Sequence, residues 1–488
     1  MKILTADQPS LWWREFLPLT LFSAFLFYAI LTRNPLAVLI VILPIVILAY
    51  LFEANRLWWL VIGLVPLSFN TELIAQGPVG MYLPTEPLLF GFLILTFLYF
   101  LKHPPDKRYV NHPISWLVIL YFTWMMVAVI VSTNLWVSLK SFIAQLWYVI
   151  PIFYLGSVIL RKQYNRVRFL NTYLTGFSLV VIYTLIRLWS HGFPEKESQW
   201  LMQPFFKDHT ILGAVLGLII PYLYLRSFER SIHWNKRLLW IGLAVIFTIV
   251  LIFTYSRAAI LSLVVAAGLF LLIRLRIPFR YLMITGVLTG GILLWNQDAL
   301  MEKLSNNQTE SSEEVLENIE SISNISTDAS NLERINRWNS AIGMWKERPL
   351  FGWGPGTYQF EYAPFQKAED LTIISTNVGD VGNAHSEFLG TLSENGSPAF
   401  VLMIALVLTT IGTGYRTVLK LKGEDRLILF SVLLGFVAYF THGVLNNFLN
   451  SDKVSVLIWG FTAIIIHYNL DLKNQQKPSK DDLSFMEK

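Results

Sequence analysis

The chain has 488 residues, of which 54% are hydrophobic and only 15% charged, with a mean hydropathy of +0.50. A soluble protein of this length needs far more charge to cover its surface, so the composition excludes that class and predicts a polytopic membrane protein. The absence of cysteine excludes disulfides, thiolate metal sites and thiolate nucleophiles, and the modest net charge of +5 is a topology signal, not a nucleic-acid patch.

Apolar runs occur at residues 16–31, 35–52, 57–69, 87–101, 113–131, 141–160, 167–189, 210–226, 237–254, 258–273, 279–296, 397–415, 427–447 and 453–469. Most are long enough to cross about 30 Å of hydrocarbon, the run at 57–69 being short. The first run follows Lys2 and Arg14 without a small-residue cleavage site, and reads as a span, not a cleavable leader. The first two runs are separated only by "TRNP" and can pair as a hairpin. The fold class expected is therefore all-α, with about 12–14 transmembrane helices.

Lysine and arginine orient the chain. With the N-terminus inside and an even number of spans, the inner loops hold 19 basic residues and the short outer loops 6. Both termini are then cytoplasmic. One outer loop is much larger than the rest. The expected organisation is spans one to about eleven over 1–296, the large outer loop over 297–396, the last three spans over 397–470, and a cytoplasmic tail over 471–488.

The large loop has two characters. Its first part, about 302–333, is acidic and rich in Ser and Asn; it is either mobile or a solvated helix with Val315, Ile319, Ile322 and Ile325 on one face. In its second part, "RINRWNSAIGMWKERP" places Arg334, Trp338, Ala341 and Trp345 on one helical face, with Pro349 as a stop. The glycine-rich "FGWGPGTY" follows no predicted strand and opens no helix, so it reads as turn chemistry and not a phosphate loop.

Several polar residues converge on the outer face. Arg257 lies between two apolar runs in "LIFTYSRAAILSL"; it either holds an anionic ligand or snorkels to lipid phosphates. Its planar fork suits phosphate oxygens. His385 can serve as a general base, or it can cap its segment. Glu387 and Glu394 fall on the helix face opposite His385, which argues against a His–Glu dyad on one helix. Lys207, Asp208 and His209 precede a span as a helix cap or as part of a polar rim. Arg334 and Arg337 belong either to a site or to a solvated helix with a cation–π contact. No Asp-x-Asp, His-Glu-x-x-His or Walker-type motif occurs, so no metal or nucleotide cofactor is expected.

Four of these stretches, in this order, resemble the O-antigen ligase and O-antigen polymerase superfamily: "FKDHTILGAVLGLIIP", "YSRAAIL", "RINRWNSAIGMWKERPLFGWGPGTY" and "NAHSEFLGTLSENG". The resemblance places Arg257 and His385 at the family's essential arginine and histidine, and Arg334 at the arginine four residues before a tryptophan. It implies a helical fold of the C-type glycosyltransferase kind, with a large periplasmic loop in the bacterial inner membrane. Catalytic roles then fall to His385, Arg257 and Arg334, and substrate contacts to Arg337, Lys207, His209, Asn383 and Glu394. The implied partners are a polyprenyl-diphosphate-linked glycan, membrane lipid, and a hydroxyl acceptor on lipid A–core or on another glycan or protein. The implied reaction is metal-independent and inverting. A polymerase that extends the lipid-linked glycan is the alternative within the family, and a secondary anion transporter the alternative outside it.

Overall fold

A computed structural model describes residues 54–71, 81–229, 232–281, 329–368 and 382–475, with the isolated residues 284, 291, 371 and 375. The runs expected at 16–31 and 35–52, most of that at 279–296, the acidic segment up to 328 and the tail beyond 475 lie outside the described residues.

In chain order the helices are α1 (Ala54–Leu64), α2 (Thr85–Lys102), α3 (Pro113–Ile130), α4 (Leu135–Ile159), α5 (Gln163–Ser190), α6 (His209–Ser227), α7 (Trp234–Ile252), α8 (Arg257–Arg274), α9 (Ala329–Glu347), α10 (Glu387–Lys420), α11 (Gly423–His442) and α12 (Asp452–Gln475). Among the described residues nine helices are long and apolar enough to cross a membrane. With the short α1 and with α11, they answer one for one to the eleven expected runs that fall in the described residues. The protein is an all-α multi-pass membrane protein. Among the described residues the one departure is a two-stranded antiparallel ribbon, β1 (Phe69–Asn70) and β2 (Tyr82–Leu83), too short to carry a period-2 signal.

Helix starts follow local chemistry. The Asp208 carboxylate accepts the N–H groups of Thr210 and Ile211, at 2.8 and 3.1 Å, and so caps α6. His112 caps α3 through the Ile114 N–H, with Pro113 in the first turn. Within α4, Pro151 has no N–H, and the helix widens into a π turn over Ile150–Tyr154. Large apolar side chains on α7 and α8, among them Leu239, Val264 and Leu271, are exposed. Faces of this kind are stable against hydrocarbon, not water.

The described chain forms two compact units. The first takes the residues up to Val110, then Ala144–Ser256, then those from Leu449. Its centre is α12, buried along most of its length, and at the start of α12 sits a fully buried ion pair, Asp452 and Lys453. Ser68 and Thr85 hydroxyls each donate to Asp452 Oδ2 at 2.6 Å. Lys453 Nζ donates to Ser68 O at 3.1 Å and stands 4.1 Å from the centre of the Tyr82 ring. The second unit takes Asn111–Ile143 and Arg257–Phe448. In it α3 and α9 pack on α10, and α8 packs on α11 with Phe270 and Phe430 stacked at 5.3 Å.

Two breaks shape the second unit. α9 ends at Glu347, as Pro349 predicts. α10 is two helices joined by a kink at Gly396, where φ 76° and ψ −179° admit glycine alone. A Cβ there would lie 2.1 Å from the Leu350 carbonyl oxygen. The His385 segment is therefore a separate helix standing before the span that starts at Ser397 and Pro398.

Candidate active site

The second half of the large loop has its own apolar core of Ala341, Met344, Trp353, Tyr358, Tyr362 and Ala384, with Phe365 and Leu389 against it. Ala384 is the residue before His385, so this core seats the histidine's segment. The glycine-rich stretch is a docking turn, as its sequence suggests. Trp353 and Gly354 donate their N–H groups to the carbonyls of Ser393 and Glu394, at 3.1 and 2.8 Å. The Ser132 and Thr133 hydroxyls close on the Trp353 carbonyl at 3.1 Å each. The Glu394 carboxylate accepts the Tyr358 N–H at 3.1 Å, which places this expected substrate-binding residue at the anchor of the turn.

His385 itself has a left-handed backbone, φ 46°, a conformation uncommon for a residue with a Cβ. Hydrogen bonds to both sides of its backbone hold it, and a cap fixes the helix that follows. The Asn383 Oδ1 accepts the His385 N–H at 2.9 Å, an Asx turn. The Trp338 indole donates to the His385 carbonyl at 3.2 Å. Ser386 then caps the helix through the Leu389 N–H at 3.4 Å. Asn383 is thus placed as the residue that sets the His385 backbone.

Trp338 belongs to α9, one turn after Arg334. The predicted face of α9 is real and has a purpose. Trp338 reaches His385, Trp345 donates to Ser397 Oγ at 2.8 Å, and Ala341 is fully buried between them. Arg334 extends this face half-buried, and its charge bears on His442 at the end of α11. Arg337 points elsewhere. It is 4% exposed, its Nε donates to Glu333 at 2.5 Å, and its guanidinium lies 4.0 Å over the Tyr362 ring. The backbone of Gly382 lies directly against that guanidinium, since a Cβ there would stand 2.5 Å from its Nη1. Burial alone would raise the Glu333 carboxyl, but hydrogen bonds from Ser375 and Arg337 hold it below its ordinary pKa. Burial pushes the Tyr358 hydroxyl up, and that hydroxyl donates to the Arg337 carbonyl at 2.8 Å. Arg337 is therefore the internal cation of the loop.

Arg257 opens α8, half-buried, after a turn made tight by Tyr255 at φ 51°. A cation at the positive end of a helix is unfavourable by itself and becomes favourable when an anion joins it. Lys207 and His209 belong to the first unit. Lys207 is exposed, and His209 begins α6 half-buried behind the Asp208 cap.

Sequence reasoning missed one residue that organises this region. Glu387 is buried, and its carboxylate accepts the Tyr439 hydroxyl and the Phe448 N–H, both at 2.5 Å. Its own N–H donates to the carbonyls of Gly443 and Asn446, at 2.8 and 3.1 Å. Glu387 thereby straps the 439–448 stretch to the first turn after His385. A glutamate next to an N-cap serine signals a helix start, but its partners are more than fifty residues away and leave no local trace.

Among the described residues no group of three or more His, Asp or Glu stands together as a metal-holding cluster. Among curated proteins none matches the chain. Residues 242–404 match the family model described as O-antigen ligase. The matched stretch runs from within α7 to within the second half of α10 and takes in Arg257, Arg334, Arg337, Asn383, His385 and Glu394. Over residues 242–404 the chain is therefore similar to the O-antigen ligase family, which supports its kinship with the superfamily of O-antigen ligases and polymerases.

Proposed function

We propose that the protein transfers a glycan from a polyprenyl-diphosphate carrier to an acceptor hydroxyl at the outer face of the bacterial inner membrane. The reading is ligase-like, inverting and independent of metal, with both termini cytoplasmic and the site facing the periplasm. The observation that carries it is the tie between Arg334's helix and His385: the Trp338 indole, one turn from Arg334, holds the His385 carbonyl inside the family-matched segment.

The chemistry follows from the charges. The acceptor oxygen attacks the anomeric carbon, and the bond from that carbon to the diphosphate oxygen breaks. The acceptor proton passes to a ring nitrogen of His385 and from there to water. The leaving polyprenyl diphosphate gains negative charge, which Arg257 and Arg334 stabilise as it develops. Fixed cations of this kind contribute about 3–4 kcal/mol each in a water-poor site. Attack from the side opposite the diphosphate inverts the anomeric centre. Arg337, Asn383 and Glu394 act as positioning residues, through the helix and turn they hold.

The test is a reconstituted transfer assay with purified protein, a polyprenyl-diphosphate glycan, separate candidate acceptors, and chelator added to one arm. Product on lipid A–core, unchanged by chelator and reduced at least about 100-fold by His385→Ala or Arg257→Ala, is expected. Full activity in the double variant sinks the assignment. Longer chains still on the carrier make the protein a polymerase. Absence of transfer to every acceptor by folded wild type favours transport.

A further inference from the structure

A second histidine of the same unit has no role so far. His442 ends α11 and is fully buried, with its ring 5.7 Å from that of Phe448. Neither ring nitrogen has a hydrogen-bond partner in the protein. A neutral imidazole carries one donor and one acceptor, and leaving such groups unmet in a dry interior is costly. Four residues on, Asn446 is 3% exposed, and its Nδ2 also has no partner.

These unmet groups are not remote from the site. Gly443, next to His442, and Asn446 itself both accept the Glu387 N–H through their carbonyls. Tyr439 and Phe448, on either side, both donate to the Glu387 carboxylate. The His442–Asn446 turn is thus fastened to the helix that begins two residues after His385. The Arg334 charge bears on the same ring. Unmet N–H donors in a turn fastened to the His385 helix form a set that suits anionic oxygen, as they would repel a cation and leave an apolar group unbonded.

We infer that His442 and Asn446 form a further subsite for the diphosphate of the lipid-linked donor, giving N–H hydrogen bonds to phosphoryl oxygens. The inference rests on the glycan-transfer reading and extends it outside the family-matched residues, which end at 404. It makes His442 a binding residue, distinct from His385, which handles the acceptor proton. Glu387 acts through the turn, as a positioning residue.

The test uses the full chain in lipid nanodiscs and farnesyl diphosphate as the probe, with inorganic pyrophosphate in a parallel arm. His442→Phe keeps the ring shape against Phe448 and removes both nitrogens. It is expected to weaken farnesyl diphosphate binding and raise KM for the glycan donor about tenfold, the loss of one good hydrogen bond, with kcat nearly unchanged. The thermal midpoint of the unliganded variant should equal or exceed that of wild type, because an unmet polar group has gone. His442→Gln should restore part of the affinity. Should the Phe variant fail to fold, Asn446→Ala carries the same expectation for KM. Equal binding and equal KM in a folded His442→Phe or Asn446→Ala variant, with wild type active, overturns the subsite alone. Wild type that neither binds farnesyl diphosphate nor transfers glycan overturns the glycan-transfer reading itself. Binding of pyrophosphate as tightly as farnesyl diphosphate supports the subsite and shows that it grips the headgroup without the lipid.

Discussion

At the scale of single residues, two arginines one turn apart in α9 have opposite fates. Arg337 is enclosed by Glu333, Tyr362 and Gly382, whereas Arg334 extends the face that reaches His385. Arg334→Lys keeps the charge and loses the fork, so it should retain partial transfer activity, while Arg334→Ala should lose about 100-fold or more in kcat. Equal rates for the two variants would show that the fork geometry is irrelevant. Glu333 makes a prediction about pH. Its folded pKa lies below its ordinary value of 4.5, so its contribution is present above that value and disappears as pH falls through the folded one. Glu333→Gln should therefore cost about 1.5–3 kcal/mol at neutral pH, and the gap in thermal midpoint should close on acidification. A constant gap would mean that packing, not charge, matters there. The stretches that hold Arg257, Arg334 and His385 were legible because they stand in a recognisable order, and the matched segment takes them in. His442 also left a signal, a titratable side chain inside an apolar run, which by default marks a functional position. Glu387 left none, since its partners are distant in sequence.

At the scale of elements, helices and their ends were readable and their internal irregularities less so. Hydropathy found the eleven apolar runs in the described residues, because each had to satisfy its own backbone in hydrocarbon. The apolar run expected from 397 also set the following span apart from the His385 helix. The tight fit at the kink between them was not visible, as it depends on Leu350 in another element. Gly396→Ala should destabilise the second unit by at least about 2–3 kcal/mol, from backbone strain plus the clash with the Leu350 carbonyl. Transfer and thermal stability should fall together in that variant. An unaltered melting curve would mean that the kink relaxes freely.

At the scale of the whole molecule, the long-range polar contacts are what the sequence hides. Lys453 reads as one more basic residue of a short outer loop, yet it is fully buried and bonded to Ser68, 385 residues away. Lys453→Met would leave the Asp452 carboxylate buried without its cation and should cost about 3–5 kcal/mol, seen as a lower thermal midpoint in detergent or nanodiscs. An unchanged midpoint would show that Ser68 and Thr85 alone satisfy Asp452.

The amino-acid sequence by itself determined that this is an all-α multi-pass membrane protein, where the apolar helices of the described residues lie, and the likeness of residues 242–404 to the O-antigen ligase family. Those properties depend on short windows, because hydrocarbon demands an apolar run of fixed length and a self-satisfied backbone. Only the tertiary structure decided which arginine of α9 is enclosed, that Trp338 and Asn383 hold His385, and that Glu387 fastens the His442 turn beside it. The Trp338 and Glu387 bonds join residues 47 and 61 positions apart in the chain. Their energy depends on packing that brings donor and acceptor together in a low dielectric, and no local pattern encodes it.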